Sequence, residues 1–202
     1  NFLVPDAVAI IGASSDETKL GGMLVKNMID AGFDKNKLYP INPKGGDIQG
    51  IKAYTSVTEV GKPIDLAIIA VKAPYVIPEI PKLGEAGVPV VSVLTAGFKE
   101  DSKEGAELEK QLVAEAKKHN VRVIGPNCFG LLNIRNNVNA TFSHLKPEVG
   151  NMSIFSQSGA VGSSILDWSC ANGLGLSKFV TFGNKCDMDE ADLLPLLSED
   201  PD

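Results

Sequence analysis

Residues 7–22, AVAIIGASSDETKLGG, constrain the fold more than any other stretch of this 202-residue chain. A run of apolar residues ends at a turn of small residues, and a helical pattern then continues through Leu20, Leu24 and Met28. This order is typical of a buried parallel strand that leads into its crossover helix. Small residues let backbone N–H groups approach a ligand, and the helix directs its positive end to the same place. The stretch therefore predicts a site for phosphate groups.

The turn does not carry the three-glycine fingerprint G-x-G-x-x-G of dinucleotide sites, because it reads Gly12-Ala13-Ser14-Ser15 and the next glycines are Gly21 and Gly22. An NAD site also needs an acidic residue at the end of the next strand. Here the strand 37–41 is followed by Asn42-Pro43-Lys44. A lysine at this place favours a phosphate near the ribose, so coenzyme A with its 3′-phosphate and NADP both fit these residues.

The strand-and-helix alternation repeats along the first 130 residues. Apolar strands are predicted at 64–71, 90–94 and 121–124, and helices at 74–87 and 102–119. Repeated units of this kind form a doubly wound parallel sheet, whose ligands bind at the carboxyl ends of the strands. We therefore expect one crevice lined by the strand ends 12–15, 40–44, 71–73, 95–98 and 127–130. The helix 102–119 is expected to expose its charged residues, which are Glu107, Glu109, Lys110, Glu115 and Lys117.

Residues 131–150 lose periodicity and are interpreted as a connection with little regular structure. A short strand at 152–155 then leads through Ser156-Gln157-Ser158-Gly159 into a helix whose apolar residues are Val161, Ile165, Leu166 and Trp168. The two serines either cap this helix or bind an oxyanion, and the residues leave both readings open.

A further strand at 178–182 ends at Gly183-Asn184-Lys185, and Asp187 or Asp189 is expected to cap a last helix that contains Pro195. Two such units do not bury enough surface to be stable alone. We therefore expect the second domain to be incomplete and the chain to be a fragment.

Composition excludes several classes of function. A net charge of −6 and a pI near 5 disfavour nucleic-acid binding. No apolar run approaches the roughly 20 residues that span a bilayer, so a cytoplasmic protein without membrane contact is expected. The three cysteines, Cys128, Cys170 and Cys186, are widely spaced and indicate neither disulfides nor a metal site.

No catalytic residue is predicted within the chain. His119 ends a helix beside two lysines, where the helix dipole explains it, and His144 lies in the connection. Cys128 has no neighbouring residue in the sequence that would activate it as a nucleophile, and it is interpreted as a small buried residue.

Six motifs occur in order along nearly the whole chain: AIIGAS at 9–14, YPINPKGG at 39–46, TAGFKE at 95–100, GPNCFG at 125–130, NATF at 139–142 and SQSGA at 156–160. Each is weak alone, but the ordered set resembles the ADP-forming acyl-CoA synthetases, acid–CoA ligases related to the α subunit of succinyl-CoA synthetase. The resemblance implies a Rossmann-like doubly wound parallel sheet that binds coenzyme A, followed by part of a second, flavodoxin-like α/β domain. The predicted bounds are 1–130 for the first domain, 131–150 for the connection and 151–202 for the second domain.

The resemblance also implies which residues bind. The turn 12–15 with Lys19 would hold coenzyme A phosphates, residues 40–44 would meet the adenosine end, and Asn127-Cys128 would lie near the thiol. The full implied coenzyme A site is Gly12, Ala13, Ser14, Ser15, Lys19, Leu20, Pro40, Asn42, Pro43, Lys44, Val71, Lys72, Ala73, Thr95, Ala96, Gly97, Asn127 and Cys128. A transferred phosphate would be held at a helix N-terminus by Ser156, Gln157, Ser158, Gly159, Gly183 and Asn184.

The family's reaction converts acyl-CoA, ADP and phosphate into acid, ATP and CoA through an acyl phosphate and a phosphohistidine. The phosphohistidine is expected beyond residue 202, so this segment alone should not turn over. ADP or ATP with Mg is expected only in the rest of the protein. The implied partners are coenzyme A, a small carboxylic acid, an ATP-grasp domain or subunit and the remainder of the second domain, in an oligomer.

Two other hypotheses stay open. One is a non-catalytic sensor of CoA or acyl-CoA, such as the regulatory domain of a protein acetyltransferase. The other is an NADP-linked Rossmann protein, which would bind dinucleotides and not coenzyme A.

Overall fold

The computed structural model describes residues 2–198 of the chain. The strands, in chain order β1 to β11, are Val8–Ile11, Leu38–Ile41, Gly46–Ile48, Ile51–Ala53, Leu66–Ile69, Val90–Val93, Arg122–Ile124, Gly130–Asn133, Val138–Thr141, Val149–Ser156 and Leu176–Thr181. The helices, α1 to α5, are Leu20–Ala31, Glu79–Glu85, Lys103–Lys118, Gly159–Ala171 and Glu190–Ser198.

The first sheet has the strand order β2-β1-β5-β6-β7, and all its pairings are parallel. Successive residues of a strand point to opposite faces, and both faces are buried. Ile10 and Ile68 pack with α1 residues such as Leu24, whereas Ile11 and Ile69 belong to the core with α2 and α3. The predicted Rossmann-like doubly wound sheet is confirmed. The chain progresses in opposite directions from β1, so the sheet's switch point lies between β1 and β5.

The helix predicted to begin at Pro74 is broken in two. Residues Ala73–Tyr75 form a single 3-10 turn, and α2 begins only at Glu79. Pro78 explains the break, because it has no N–H and its ring would clash with the carbonyl four residues earlier in a continuous helix.

The second sheet has the order β10-β11-β8-β9, in which β10 and β11 are parallel and the other pairings are antiparallel. The expectation of little regular structure at 131–150 is wrong, since β8 and β9 form a hairpin there. Its polar residues have buried partners that the pattern hides: Asn133 donates to Leu3 O at 2.8 Å, and Asn27 of α1 donates to Thr141 O at 2.8 Å. A strand that buries a polar side chain against distant backbone, as β8 does with Asn133, loses the alternating signature of a strand.

The segment after β11 runs along the free edge of β7. The backbone N–H groups of Asn184, Cys186 and Met188 donate to the carbonyls of Pro126, Gly125 and Val123 at 2.9–3.0 Å. This contact covers an edge that would otherwise present unpaired groups.

An ion pair and a helix cap reinforce the segment after β11. Arg122 Nε lies 2.9 Å from Asp187. Asp189 Oδ1 accepts from Ala191 N at 2.8 Å in the first turn of α5, so Asp189 rather than Asp187 acts as the cap. None of the helices in residues 2–198 is long and apolar enough to cross a membrane.

Candidate functional site

The loops that follow the five parallel strands contact one another in sequence across the sheet. Asn42 Nδ2 donates to Ala13 O at 2.7 Å, which joins the loops after β2 and β1. Thr95 Oγ1 donates to Val71 O at 2.6 Å, and Asn127 N donates to Thr95 O at 2.9 Å. These strand ends therefore lie together at one edge of the sheet, and the expected crevice between them stays a prediction. The roles of the individual residues there stay predictions.

The turn 12–19 presents its backbone to the start of α1. Ser14 Oγ accepts from Asp16 N at 3.1 Å, and Asp16 Oδ1 accepts from Thr18, so these side chains serve the turn itself. Lys19 at the N-cap makes no side-chain cap hydrogen bond. An α-helix leaves its first N–H groups without intrahelical acceptors. The start of α1 therefore keeps donors for an anion, as the chemistry of a phosphate site requires.

Gly21 allows α1 to begin directly against the turn. A Cβ at this position would lie 1.9 Å from the carbonyl oxygen of Gly12. The sequence shows the glycine but not the close approach that needs it. The third glycine of the dinucleotide fingerprint also lets a helix pack closely on a strand. Gly21 therefore supplies this part of the motif, although the motif itself is absent.

Three of the predicted coenzyme residues are exposed lysines on neighbouring loops: Lys19, Lys44 and Lys72. The chain has a net charge of −6, and Lys19 Nζ lies 3.6 Å from Asp16 Oδ2 in the same turn. Exposed ammonium groups on the loops after β1, β2 and β5, together with the donors at the start of α1, fit a ligand with several phosphates.

Gln49 is a residue that sequence reasoning missed. It lies at the tip of the β3–β4 hairpin with φ of 54°, and its Nε2 donates to Gly22 O at 2.8 Å. The hairpin is thereby fastened to the first turn of α1. No local pattern around Gln49 indicates this contact, because its partner is 27 residues away.

The second predicted site lies where β10 leads into α4. Ser158 Oγ accepts from Val161 N at 3.2 Å, so it caps the helix, and Ser156 Oγ donates to Ser158 O at 2.9 Å. Gln157 Nε2 donates to Gly183 O at 2.8 Å, which fixes the loop after β11 beside it. The cap reading is confirmed for Ser158, and phosphate binding by this loop stays a prediction.

The two predicted sites meet at residues 126–130. Gly183 has φ of +57°, and a Cβ on it would lie 2.2 Å from Pro126 O and 2.5 Å from Asn127 O. Thr181 Oγ1 accepts from Phe129 N at 2.6 Å. The loop predicted to lie near the coenzyme thiol therefore packs directly on the loops predicted to hold phosphate.

Cys128 is buried within this junction. Its Sγ lies 3.4 Å from Ser92 Oγ and 3.3 Å from Val93 O. Burial raises the pKa of the Cys128 thiol to about 11, so the group is neutral near pH 7. The interpretation of Cys128 as a small buried residue is confirmed, and a thiol of such pKa is a poor nucleophile.

The histidines lie apart from this chemistry. His119 caps α3 at its C-terminus, where its Nε2 lies 3.0 Å from Glu115 Oε1, and His144 is exposed. Within residues 2–198 no group of three or more His, Cys, Asp or Glu side chains is placed to hold a metal ion.

Asn184 makes contacts other than the predicted ones. Its Nδ2 donates to Glu100 Oε2 at 2.5 Å and to Glu109 Oε2 at 2.7 Å, and its backbone N donates to Pro126. A phosphate contact by its side chain is not supported by this arrangement.

The expectation that Glu109 faces solvent is wrong, since it is only 7% exposed. Burial raises the pKa of Glu100, but hydrogen bonds from Asn184 and Gly97 N outweigh it and leave this pKa below its usual value.

These features of the parallel sheet and its loops define a class of α/β protein that binds a ligand with phosphate groups at the ends of its parallel strands. The family comparison identifies the class. Residues 6–134 match the model of the CoA binding domain, and the chain belongs to that family. Residues 149–202 match the succinyl-CoA ligase like flavodoxin domain.

Individual relatives are ADP-forming ligases. The chain is 42% identical over 198 residues to the acetate–CoA ligase [ADP-forming] II subunit alpha of Pyrococcus furiosus, covering 98% of this chain and 43% of that protein. It is 46% identical to the acetate–CoA ligase [ADP-forming] of Methanocaldococcus jannaschii, covering 98% of this chain and 27% of that protein.

A solved structure of a similar enzyme matches the fold of this chain. It is the dinucleotide forming acetyl-coenzyme A synthetase 1 of Ca. Korarchaeum cryptofilum in complex with phosphate and ADP, with a TM-score of 0.93 and 40% identity, covering 98% of this chain and 42% of that one. This chain thus spans less than half the length of each of these three relatives. The expected resemblance and the flavodoxin-like second unit are confirmed.

Proposed function

We propose that this chain is the coenzyme A-binding part of an ADP-forming acid–CoA ligase. The intact protein would interconvert acyl-CoA, ADP and phosphate with acid, ATP and CoA. One observation carries the proposal. Gly183, in the loop after β11, packs so closely on the loop after β7 that a Cβ would have no room against Pro126 and Asn127. A coenzyme thiol and a transferred phosphate must come together in such a reaction, and here their predicted loops are in contact.

The residues of the first sheet fit coenzyme A. The uncapped start of α1 offers N–H donors to the diphosphate, while Lys19 supplies charge beside it. Lys44, at the end of the β2 loop, suits a ribose 3′-phosphate. When bound, coenzyme A would supply the thiol that accepts the acyl group.

The start of α4 suits an anion that arrives and leaves. Helix geometry leaves the N–H groups of Gly159 and Ala160 without intrahelical acceptors, and Ser158 fixes the first turn. Backbone donors stabilise such a group without a competing cation. The remaining functions, namely nucleotide binding with Mg, an ATP-grasp partner and the phosphorylated histidine, are proposed for the rest of the intact protein. The proposed substrate is a small carboxylic acid, with acetate the first to test.

The binding test is a calorimetric titration of the intact protein with CoA, dephospho-CoA and NADP. CoA is expected to bind tightest, and Lys44→Ala should weaken CoA roughly tenfold while changing dephospho-CoA little, because one charge-assisted contact to the 3′-phosphate is lost. Lys110→Ala on α3, which removes an exposed lysine outside the predicted coenzyme site, is the matched control.

The activity test measures ATP formed from acetyl-CoA, ADP and phosphate. ATP formation together with CoA binding supports the ligase. CoA binding without ATP formation for any short acyl-CoA would favour a CoA sensor instead. Binding of NADP in place of CoA would overturn the proposal.

A further inference from the structure

Four polar side chains join the loop after β6 and helix α3 to the loop after β11, and we name Lys99, Glu100, Glu109 and Asn184 the inter-loop clamp. Asn184 Nδ2 lies 2.5 Å from Glu100 Oε2 and 2.7 Å from Glu109 Oε2. Lys99 Nζ lies 2.9 Å from Glu109 Oε1 and donates to Asn184 O at 2.6 Å. The clamp therefore connects the first unit to the second by three charge-assisted contacts, and the Lys99–Glu109 ion pair braces them within the first unit.

Each end of the clamp holds a loop of the candidate site. Glu100 Oε1 accepts from Gly97 N at 2.7 Å and from Phe98 N at 3.1 Å, which fixes the backbone of the predicted coenzyme loop 95–97. Asn184 directly follows Gly183, whose carbonyl accepts from Gln157 of the predicted phosphate loop. A shift at Asn184 would therefore move one loop against the other.

The buried carboxylate of Glu109 favours the paired arrangement of the clamp. Glu109 is 7% exposed, and a carboxylate buried to this extent is costly unless it is paired and hydrogen-bonded. Lys99 and the Asn184 amide supply those partners. By contrast, the Glu107–Lys110 pair on the same helix is exposed at both ends, where such pairs contribute little.

We propose that the inter-loop clamp sets the position of the coenzyme loop relative to the phosphate loop, and so governs acyl transfer between phosphate and thiol rather than the binding of either ligand. Asn184 is then a positioning residue, which acts through Gly183 and Pro126. Misplacing reacting groups by about 1 Å can cost roughly a hundredfold in rate. This inference rests on the proposed ligase function.

The test is Asn184→Asp in the intact protein. The substitution keeps the shape but replaces the shared donor with a third carboxylate. We expect kcat for acyl-CoA synthesis from acid, ATP and CoA to fall roughly tenfold or more. The KM for CoA and the rate of ADP–ATP exchange, which needs no coenzyme A, should stay within about twofold. Gln111→Glu makes the same amide-to-carboxylate change at an exposed position of α3 and should leave all three values unchanged.

A second variant separates positioning from misfolding. In Asn184→Asp combined with Glu100→Gln, the new glutamine amide can donate to the new aspartate while its oxygen still accepts from Gly97 and Phe98. Recovery of at least about threefold in kcat supports the clamp.

The other outcomes overturn the inference. These are no effect of Asn184→Asp, an equal loss of exchange and acyl transfer, or a double variant no better than the single one. An unaltered protein without ligase activity would overturn the proposed function as well, whereas an active protein indifferent to Asn184→Asp would overturn the clamp alone.

Discussion

The two turns that lead into α1 and α4 are built from similar small residues but set their helices differently. At α1 the N-cap residue Lys19 makes no side-chain cap, and the helix is fixed by close packing at Gly21 and by buried Leu24. At α4 the hydroxyl of Ser158 caps the helix, while Val161 and Trp168 are 55% and 57% exposed. We infer that α1 is held mainly by packing, whereas α4 is held in part by its cap. The cap takes only the N–H group of Val161, so the N–H groups of Gly159 and Ala160 stay available to a ligand.

The largest expected difference between the two turns concerns their glycines. In Gly21→Ala the added Cβ would meet the Gly12 carbonyl oxygen at 1.9 Å, so α1 must move away from the turn. We expect a loss of about 3 kcal/mol in the free energy of unfolding, near the upper end for overpacking, together with weaker CoA binding. Urea unfolding followed by circular dichroism measures the first, and calorimetry the second.

Gly159→Ala is the matched control for this prediction. Its Cβ would lie 3.6 Å from Phe129 Cβ, an ordinary contact, so no loss of stability is expected. Equal losses in the two variants would show that the turns do not differ in packing.

A smaller difference is expected at the caps. Ser158→Ala removes the acceptor of Val161 N and should lower the free energy of unfolding by about 1 kcal/mol. Lys19→Ala removes no cap hydrogen bond and should change it by less than about 0.5 kcal/mol. Thermal unfolding of the two variants beside the unaltered protein measures both values. A destabilising Lys19→Ala with a neutral Ser158→Ala would reverse the comparison.

The smallest effect is expected on the outer face of α4. Trp168→Ser should change the free energy of unfolding by less than about 0.5 kcal/mol, whereas Leu166→Ala, at a fully buried position of the same helix, should cost about 2–5 kcal/mol. The chain has one tryptophan, so its fluorescence reports on this face alone. In a protein of residues 1–202, iodide is expected to quench the fluorescence of Trp168 readily, because this side chain is 57% exposed. Protection from iodide would mean that another surface covers α4.

Much of the fold was predictable because its signals are local. The buried strands around Ile10 and Ile68 are apolar runs, and the helix after Ser102 has both its cap and its apolar face in sequence. Parallel strands also share the direction of their carboxyl ends, so the meeting of their loops followed from the order of elements.

The failures have a common cause in long-range partners. The β8–β9 hairpin was missed because its polar side chains are buried, and the acceptor of Asn133, the carbonyl of Leu3, is more than 100 positions away. Glu109 resembles its solvent-facing neighbours in sequence, and only the approach of Asn184 from the second unit explains its burial. Pro78 is the exception. The break that it causes in the helix is a local effect, so it could have been predicted from the sequence.

The sequence by itself therefore determined the strands of the parallel sheet, the starts of α1, α3 and α4 and the residue types available at each turn, since these depend on periodicity and residue type within a few positions. The tertiary structure decided which turns touch, which carboxylates are buried and which helix face is left exposed. These depend on distances between segments far apart along the chain, such as Lys99 and Asn184, which only the packing of the two sheets brings together.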